Sequence, residues 1–579
     1  MNVLYEEDGS FKVGTILAET PANLQVEAPH GKRSKIKTNH VLLRFTQPAA
    51  NELLEQAQQM ASELDTDFLW ECCGESEFAF QDFAADYFGH PPNAIEASAI
   101  VLKLHQAPVY FHRKGKGQYK AAPAETLKAA LAGLEKKRQQ AELQAHYTES
   151  LVAGQCPDAL LTQLPQLLYK PDRNQLITKA LENACHQAGL TTVGLLRHCG
   201  VLTSSHDYHF NRFLFEVFPQ GLEFPPLPTP QLPELPCASV QAFSIDDSST
   251  TEIDDAFSLA RTAQGDWQVG IHIAAPALCC EPDSALLALA SQRLSTVYMP
   301  GQKITMLPPA WVETFTLAAG RYCPALSLYV TVSNDETRQV LAHETRLEQV
   351  YIAKNLRIDT LEPFFNENSA PEGGGTADYP YKTELVWLWQ WANCLEQNRG
   401  KADPQRAPQW DYNFSIHDDR VCITPRKRGA PIDKLVSELM IFANSTWGGV
   451  LKDADIVGIY RSQNNGKVKM NTAPLPHQGL GVAQYAWTSS PLRRYVDLVN
   501  QRQLLAWVRQ EEPLFAANSP ALFEGIRNFD SAYDTYNEFQ RQMERYWCLR
   551  WITQENLQQT TARVLKENWV RFEQLPLVV

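Results

Sequence analysis

The chain has 579 residues and a formal net charge of −14. That is room for about three or four domains, and the wrong sign for a general nucleic-acid coat, so any polyanion has to be received by a local basic patch or channel. The first residues have neither the basic region nor the apolar stretch of a secretory signal, no apolar run is long enough to span a membrane, and the 12 cysteines contain no C-x-x-C, which together point to a cytoplasmic protein with free thiols.

Residues 1–46 alternate apolar and polar side chains around turn signals at Asp8-Gly9 and Gly31-Lys32, the pattern of a small antiparallel β-barrel. The basic run from Gly31 to Lys37 is either a solubilising hairpin or an edge that binds a phosphate backbone. Residues 47–218 read as a winged-helix and helical region. Helices are expected at 50–65, 78–88 and 93–105, then a hairpin over 107–121 tipped by Arg113-Lys114-Gly115-Lys116. Helix, helix, basic-tipped hairpin is the order of a winged helix-turn-helix, although a helical domain with one exposed basic turn reads the same way. A long helix follows over 124–144, with Glu135 to Arg138 on a solvated face. The proline-dense stretch 219–236 is expected to be an extended linker. Beyond it, residues 237–555 mix strands (238–245, 257–261, 267–274, 327–333, 340–347) with helices (382–397, 431–447, 490–509, 529–551). The fold class is therefore α+β and multidomain. Residues 556–579 can supply about two further strands.

The informative chemistry lies between two of these strands. Asp246, Asp247, Glu252, Asp254 and Asp255 fall within ten residues, and no Lys or Arg occurs from Gln241 to Ala260. Like charges this close repel unless something offsets them, and a hard divalent cation with oxygen ligands does so. The alternative is a solvated acidic loop, but Ser and Thr fill the gaps where a merely soluble loop would carry Lys. A second segment, Thr488-Ser489-Ser490-Pro491-Leu492-Arg493-Arg494-Tyr495-Val496-Asp497, places Pro491 and two serines where a helix would start. Arg493 and Arg494 then sit in its first turn, the less favourable end for cations, which suggests phosphate recognition rather than surface salt bridges.

These two segments, with His272-Ile273-Ala274, Thr296 to Gly301, Met306-Leu307-Pro308, Ser437 to Met440 and Ala443-Asn444, resemble in order and spacing the catalytic signatures of the ribonuclease II (RNB) family over residues 238–555. The region before them is more similar to the shorter bacterial members with a winged-helix domain than to those with paired cold-shock barrels. The resemblance implies a processive, hydrolytic 3′-5′ exoribonuclease that acts with Mg²⁺ on single-stranded RNA and releases 5′-monophosphates. It implies metal ligands at Asp246, Glu252 and Asp255, and an acid essential to the chemical step at Asp254. Arg493 would stabilise charge on the phosphoryl oxygens, and Arg494 would hold phosphate nearby. Tyr298 would stack on a base, and Glu438 would contact the terminal ribose. Glu252 stands where the family usually has Asp, and Asp247 falls outside its acidic positions. Ala275, Gln463 and Ile358 also depart from the pattern. Trp410, Tyr412 and Phe414 are candidates for a second stacking aromatic. Members of the family end in a five-stranded S1 barrel, of which 556–579 is an incomplete part, so weaker binding of long RNA is expected.

Two other functions are compatible with parts of the sequence. A catalytically weakened RNA-binding protein on the same fold would follow if Glu252 disabled the site. A DNA-binding regulator built on the winged helix is disfavoured by the acidic charge and the large second region. A chain that threads RNA into its own channel is expected to work as a monomer.

Overall fold

Asp8 and Gly9 both take positive φ, 52° and 76°, the backbone of a tight hairpin turn whose twist suits the flanking strands. They join Asn2–Glu7 to Ser10–Glu19, the first pair of a five-stranded antiparallel sheet. The computed structural model describes residues 1–281, 284–403, 405 and 409–579. The chain divides into two units, Met1–Asp207 and Tyr208–Val579.

In the first unit the sheet runs Arg33–Lys37, Asn23–Glu27, Ser10–Glu19, Asn2–Glu7, Val41–Phe45. The expected barrel is an open sheet, with Arg33–Lys37 and Val41–Phe45 as its edges. It is not a separate domain either. Alternation sends Val3 and Tyr5 to one face with Leu24, Val26 and Ile36, while Leu4, Val13 and Leu42 enter a core shared with the helices, among Leu69, Phe83, Ile100 and Phe111. Those helices are Leu53–Glu63, Thr66–Cys72, Phe80–Phe88 and Ala94–Gln106. The last opens with a capping box in which Asn93 and Glu96 satisfy each other's backbone N–H groups. Strands Phe111–Gly115 and Gln118–Ala121 follow as a hairpin. At its tip Arg113 is paired with Glu6 at 2.5 Å, which leaves Lys114 and Lys116 as the exposed cations of the turn. The next helix runs Ala124–Val152, longer than its sequence pattern predicts, and is buried only near its ends, at Leu127, Thr148 and Leu151.

The proline-rich stretch belongs to the second unit and is not a free linker between domains. Its carbonyls have side-chain and backbone partners. Arg293 donates to the Leu222 carbonyl at 2.6 Å and lies 4.0 Å over the Phe224 ring, and the Gln349 N–H donates to the Pro236 carbonyl at 2.8 Å. Extended backbone in which the prolines carry no N–H is thereby fixed against the large domain.

Strands Cys237–Asp246, Asp255–Arg261, Trp267–Ala274, Arg321–Val332 and Val340–Arg357 close into a barrel. Cys237–Asp246 closes it, pairing parallel with Val340–Arg357 and antiparallel with Asp255–Arg261. One face of these strands joins the large apolar core, where Phe243, Phe257, Ile271, Leu326 and Leu328 are fully or almost fully buried. The acidic stretch is the connection between the first two of these strands, so Asp246 and Asp255 are strand ends rather than loop residues.

Helices Lys382–Asn398, Pro431–Asp453, Tyr495–Arg509 and Pro520–Gln554 belong to the same unit. Tyr495–Arg509 is buried on every side from Tyr495 to Ala506, which requires its polar side chains to be paired. Gln501 donates to the Ala274 carbonyl at 2.7 Å and Asn500 to the Trp487 carbonyl at 2.8 Å. These bonds tie the helix and the turn before it to one end of a barrel strand. The helix starts at Tyr495, with Arg494 as its N-cap, and not at Pro491 as the sequence suggests. Arg493 therefore lies in the preceding turn, where the Arg493 and Arg494 N–H groups both donate to the Ser490 carbonyl. Two short strands, Val297–Met299 and Gln302–Ile304, pack through Val297, Met299 and Ile304 onto Phe213, Tyr536, Phe539 and Met543. A hairpin not foreseen from the sequence, Gln409–His417 with Arg420–Arg428, rests through Val421 and Ile423 on Trp547, Leu575 and Leu577. The last strands, Ala562–Lys566 and Trp569–Phe572, form a two-stranded sheet.

Candidate active site

Asp254 sits one residue before a barrel strand, with its own carbonyl accepting the Ala274 N–H at 2.8 Å. Both of its carboxylate oxygens are taken from the arginine segment. Oδ1 accepts the Leu492 N–H at 2.9 Å, and Oδ2 accepts Arg493 Nε at 3.1 Å. The acidic stretch and the arginine turn, 239 residues apart in sequence, are thus in direct contact. The turn is fixed further by Arg493 Nη2 donating to Ser490 Oγ at 2.7 Å, and by Thr296 N and Ser295 Oγ donating to the Arg493 carbonyl.

Around this pair opens a cleft of about 1040 Å³. Asp246, Glu252, Asp254, Asp255 and Arg493 line one part of it, Tyr298 to Lys303 another, and Tyr412 to His417 of the unforeseen hairpin a third. Gln540 and Glu544 of the long helix, and Ile358 and Asp359, also line it. Tyr298 is 38% exposed. Of the three candidates for a second stacking aromatic, Tyr412 and Phe414 line the cleft, whereas Trp410 is not among its lining residues. The hairpin approaches closely at Gly301, where φ is 83° and a Cβ would meet Ile416 Cδ1 at 2.7 Å. A side chain there is strained by the positive φ and displaces the terminal methyl of Ile416.

The carboxylates carry more negative charge than their surroundings offset. Burial pushes Asp246 up to about 6, against the opposing pull of Ser244 and Arg357. Burial pushes Asp254 up to about 7, with Arg493 and the Leu492 N–H holding it down. Asp255 is raised well above the usual carboxylate range by burial and then by Asp246 and Asp254. Its Oδ2 is buried without a hydrogen-bond partner. An orphaned carboxylate oxygen beside a second carboxylate is a place for a cation, and all-oxygen donors suit a hard divalent one. Among the described residues, however, no three acids stand close enough to share an ion. Asp246 and Asp255 present the oxygen donors that a hard divalent cation would use.

Glu252 does not point to that place. It is 4% exposed, its Oε2 accepts Lys303 Nζ at 2.6 Å, and its Oε1 accepts Thr296 Oγ1 at 3.1 Å. The extra methylene relative to Asp carries its carboxylate to the lysine. Arg494 and Glu438 do not line the cleft. Arg494 donates to both oxygens of the fully buried Asp497, at 2.8 Å each, and lies 4.0 Å over the Trp487 ring. Its guanidinium is thus held in an ion pair outside the lining of the cleft. Glu438 is buried in an ion pair with Arg399 and is not among the residues lining the cleft. Asp247 is exposed, and its carbonyl accepts Arg357 Nη1 at 2.8 Å, which holds the acidic connection in place. Lys303, Arg357 and the Leu492 N–H are not foreseen from the sequence; their partners lie 51, 110 and 238 residues away. Their roles depend on pairings that no local pattern announces.

Residues 237–470 and 466–510 match the family model described as "RNB domain". The chain is 25% identical over 334 residues to Exoribonuclease 2 of Vibrio vulnificus, covering 47% of this chain and 49% of that protein. It is 24% identical over 401 residues to an uncharacterized ribonuclease of Synechocystis sp., covering 64% and 57%. The chain thus spans about half the length of the curated relatives it matches. Among solved structures, an active-site mutant of the Dss1 exoribonuclease from Candida glabrata superimposes with a TM-score of 0.60 at 16% identity, over 100% of this chain and 95% of that one. This last is a likeness of fold.

Proposed function

The chain belongs to the RNB family by the domain formed over residues 237–470 and 466–510, and from that premise we propose that it is a processive 3′-5′ exoribonuclease, hydrolysing single-stranded RNA to 5′-monophosphates with Mg²⁺ as a cytoplasmic monomer. The observation that carries the reading is the 3.1 Å contact of Arg493 with Asp254 on the acidic side of a cleft that also holds Asp246 and Asp255. Negative and positive groups face one volume there, as a phosphodiester under attack requires.

The RNA 3′ end enters the cleft, and its last bases stack on exposed Tyr298, with Tyr412 and Phe414 across from it. Such stacking contributes roughly 1–3 kcal/mol per base and is indifferent to sequence. Arg493, oriented by Asp254 and Ser490, donates to the phosphoryl oxygens as charge develops on them. Asp246 and Asp255 would hold the Mg²⁺, which supplies charge neutralisation and water activation when bound. Water oxygen bonds to phosphorus, the bond from phosphorus to the preceding nucleotide's 3′ oxygen breaks, and that oxygen takes a proton. The products are a nucleoside 5′-monophosphate and an RNA one residue shorter.

A second reading draws on Glu252. Its commitment to Lys303 leaves fewer carboxylates for metal, as in a protein that binds RNA on this fold with weakened turnover. One assay separates them: 3′-labelled and 5′-labelled single-stranded RNA incubated with Mg²⁺ or with EDTA. The exonuclease releases labelled monophosphate from the 3′ end at once, only with Mg²⁺. Binding without monophosphate release supports the second reading, and internal cuts contradict both.

A further inference from the structure

Lys303 pairs across the short two-stranded sheet with Tyr298, so both side chains reach the cleft from one face of that sheet. Its ammonium donates to Glu252 Oε2 at 2.6 Å and to Thr251 Oγ1 at 2.7 Å. The lysine side chain is 27% exposed and that of Glu252 is 2% exposed. The Glu252 carboxylate is thus closed in on one oxygen by Lys303 and on the other by Thr296, whose Oγ1 also accepts the Met306 N–H at 3.1 Å. Glu252 also adds to the negative potential at Asp254. The lysine is the cation in contact with this carboxylate, which otherwise would need a metal ion to offset its buried charge.

We propose that Lys303 is a resident cation of the active site, a positioning residue that takes the Glu252 carboxylate away from metal, so that the cleft accepts a single divalent ion at Asp246 and Asp255. This rests on the metal reading given above and deepens it. An ammonium fixed against Glu252 repels a second divalent cation there and keeps the carboxylate's oxygens out of its coordination sphere. A lysine also stays in place when divalent ions are removed, so the Glu252 side of the site stays ordered without metal.

The test is calorimetric titration of the full metal-free chain with Mn²⁺ alone, in wild type, Lys303→Met and the double variant Glu252→Gln/Lys303→Met. Wild type should take up one ion. Lys303→Met uncovers the buried carboxylate and should take up a second, with a melting temperature that has become strongly Mn²⁺-dependent. Such a buried, uncompensated charge could prevent the single variant from folding without metal. The double variant, which removes both charges of the pair together, then decides: it should fold and bind one ion with affinity within about threefold of wild type. Two ions in wild type, or loss of the remaining ion in the double variant, makes Glu252 a metal ligand and overturns this inference alone. No ion bound in wild type overturns it together with the metal reading of the cleft.

Discussion

Arg493 and Arg494 are adjacent, yet the fold gives them opposite tasks. Arg493 is partly exposed, lines the cleft and touches Asp254. Arg494 is largely buried against Asp497. Arg493→Ala should lower the turnover rate by about 10²–10³-fold, as loss of a donor to developing phosphoryl charge does, with the melting temperature little changed. Arg494→Ala should instead cost about 3–5 kcal/mol of stability, because it strands a buried carboxylate. Denaturant unfolding of both variants checks the distinction. The sequence singles out Asp246, Asp254, Asp255 and Arg493, which the fold brings to one cleft, since unneutralised charge density is visible without coordinates. It could not show where Arg494 or Glu438 point. For Arg494 a signal was present: Asp497 stands three residues on, within reach of its guanidinium. For Glu438 the partner, Arg399, lies 39 residues away, and for Glu252 the partner lies 51 residues away. Pairings over such separations are set by the tertiary fold.

At the scale of elements, the strands of the barrel and most helices are readable as apolar runs of the right length, several of them buried on both faces. The helix Tyr495–Arg509 was read too long at its start, since a proline after two serines looks like a cap, while here those residues build the turn that holds Arg493 against Asp254. The hairpin Gln409–His417 with Arg420–Arg428 was missed. Its turn is Asp418-Asp419, both at positive φ, 49° and 61°, without the glycine that usually marks such a turn. This hairpin forms one wall of the cleft, and Gly301 is where it closes on the strand pair that carries Tyr298 and Lys303. Gly301→Ala faces both a positive φ and a 2.7 Å clash with Ile416. It should destabilise the protein by about 1–3 kcal/mol and weaken binding of a short single-stranded RNA, as read by fluorescence anisotropy. Unchanged affinity would mean that the hairpin does not shape the RNA path.

For the molecule as a whole, the barrel carries a pH liability of its own. His272 is fully buried, held between Ser258 and Ser327 at 2.8 Å each, and burial lowers it to about 3. Below about pH 6.5 the unfolded chain takes up a proton at this ring that the native barrel refuses until pH is near 3. The stabilisation is therefore complete above that window and is lost as pH falls through it. Asp246 and Asp254 act in the opposite sense, since their raised values let the native state bind protons first. Comparing wild type with His272→Gln isolates the histidine. The acid-induced loss of stability between pH 7 and pH 4.5, measured by denaturant titration, should be smaller in the variant. The domain organisation was less legible than the site. The proline-rich stretch looked like a boundary, but Arg293 and Gln349 hold it against the large unit, and the division falls after Asp207. Proline content shows that a segment is extended and leaves open what it rests on.

The central claim is that Asp254, joined to Arg493, serves the cleavage of RNA and not the grip on it. Asp254→Asn tests it most directly, with 3′-labelled RNA followed in single turnover and affinity measured on the same preparation. The account predicts that monophosphate release stops while RNA binds at least as tightly as to wild type, because a repelling charge has been removed. Release at the wild-type rate in this variant would contradict it.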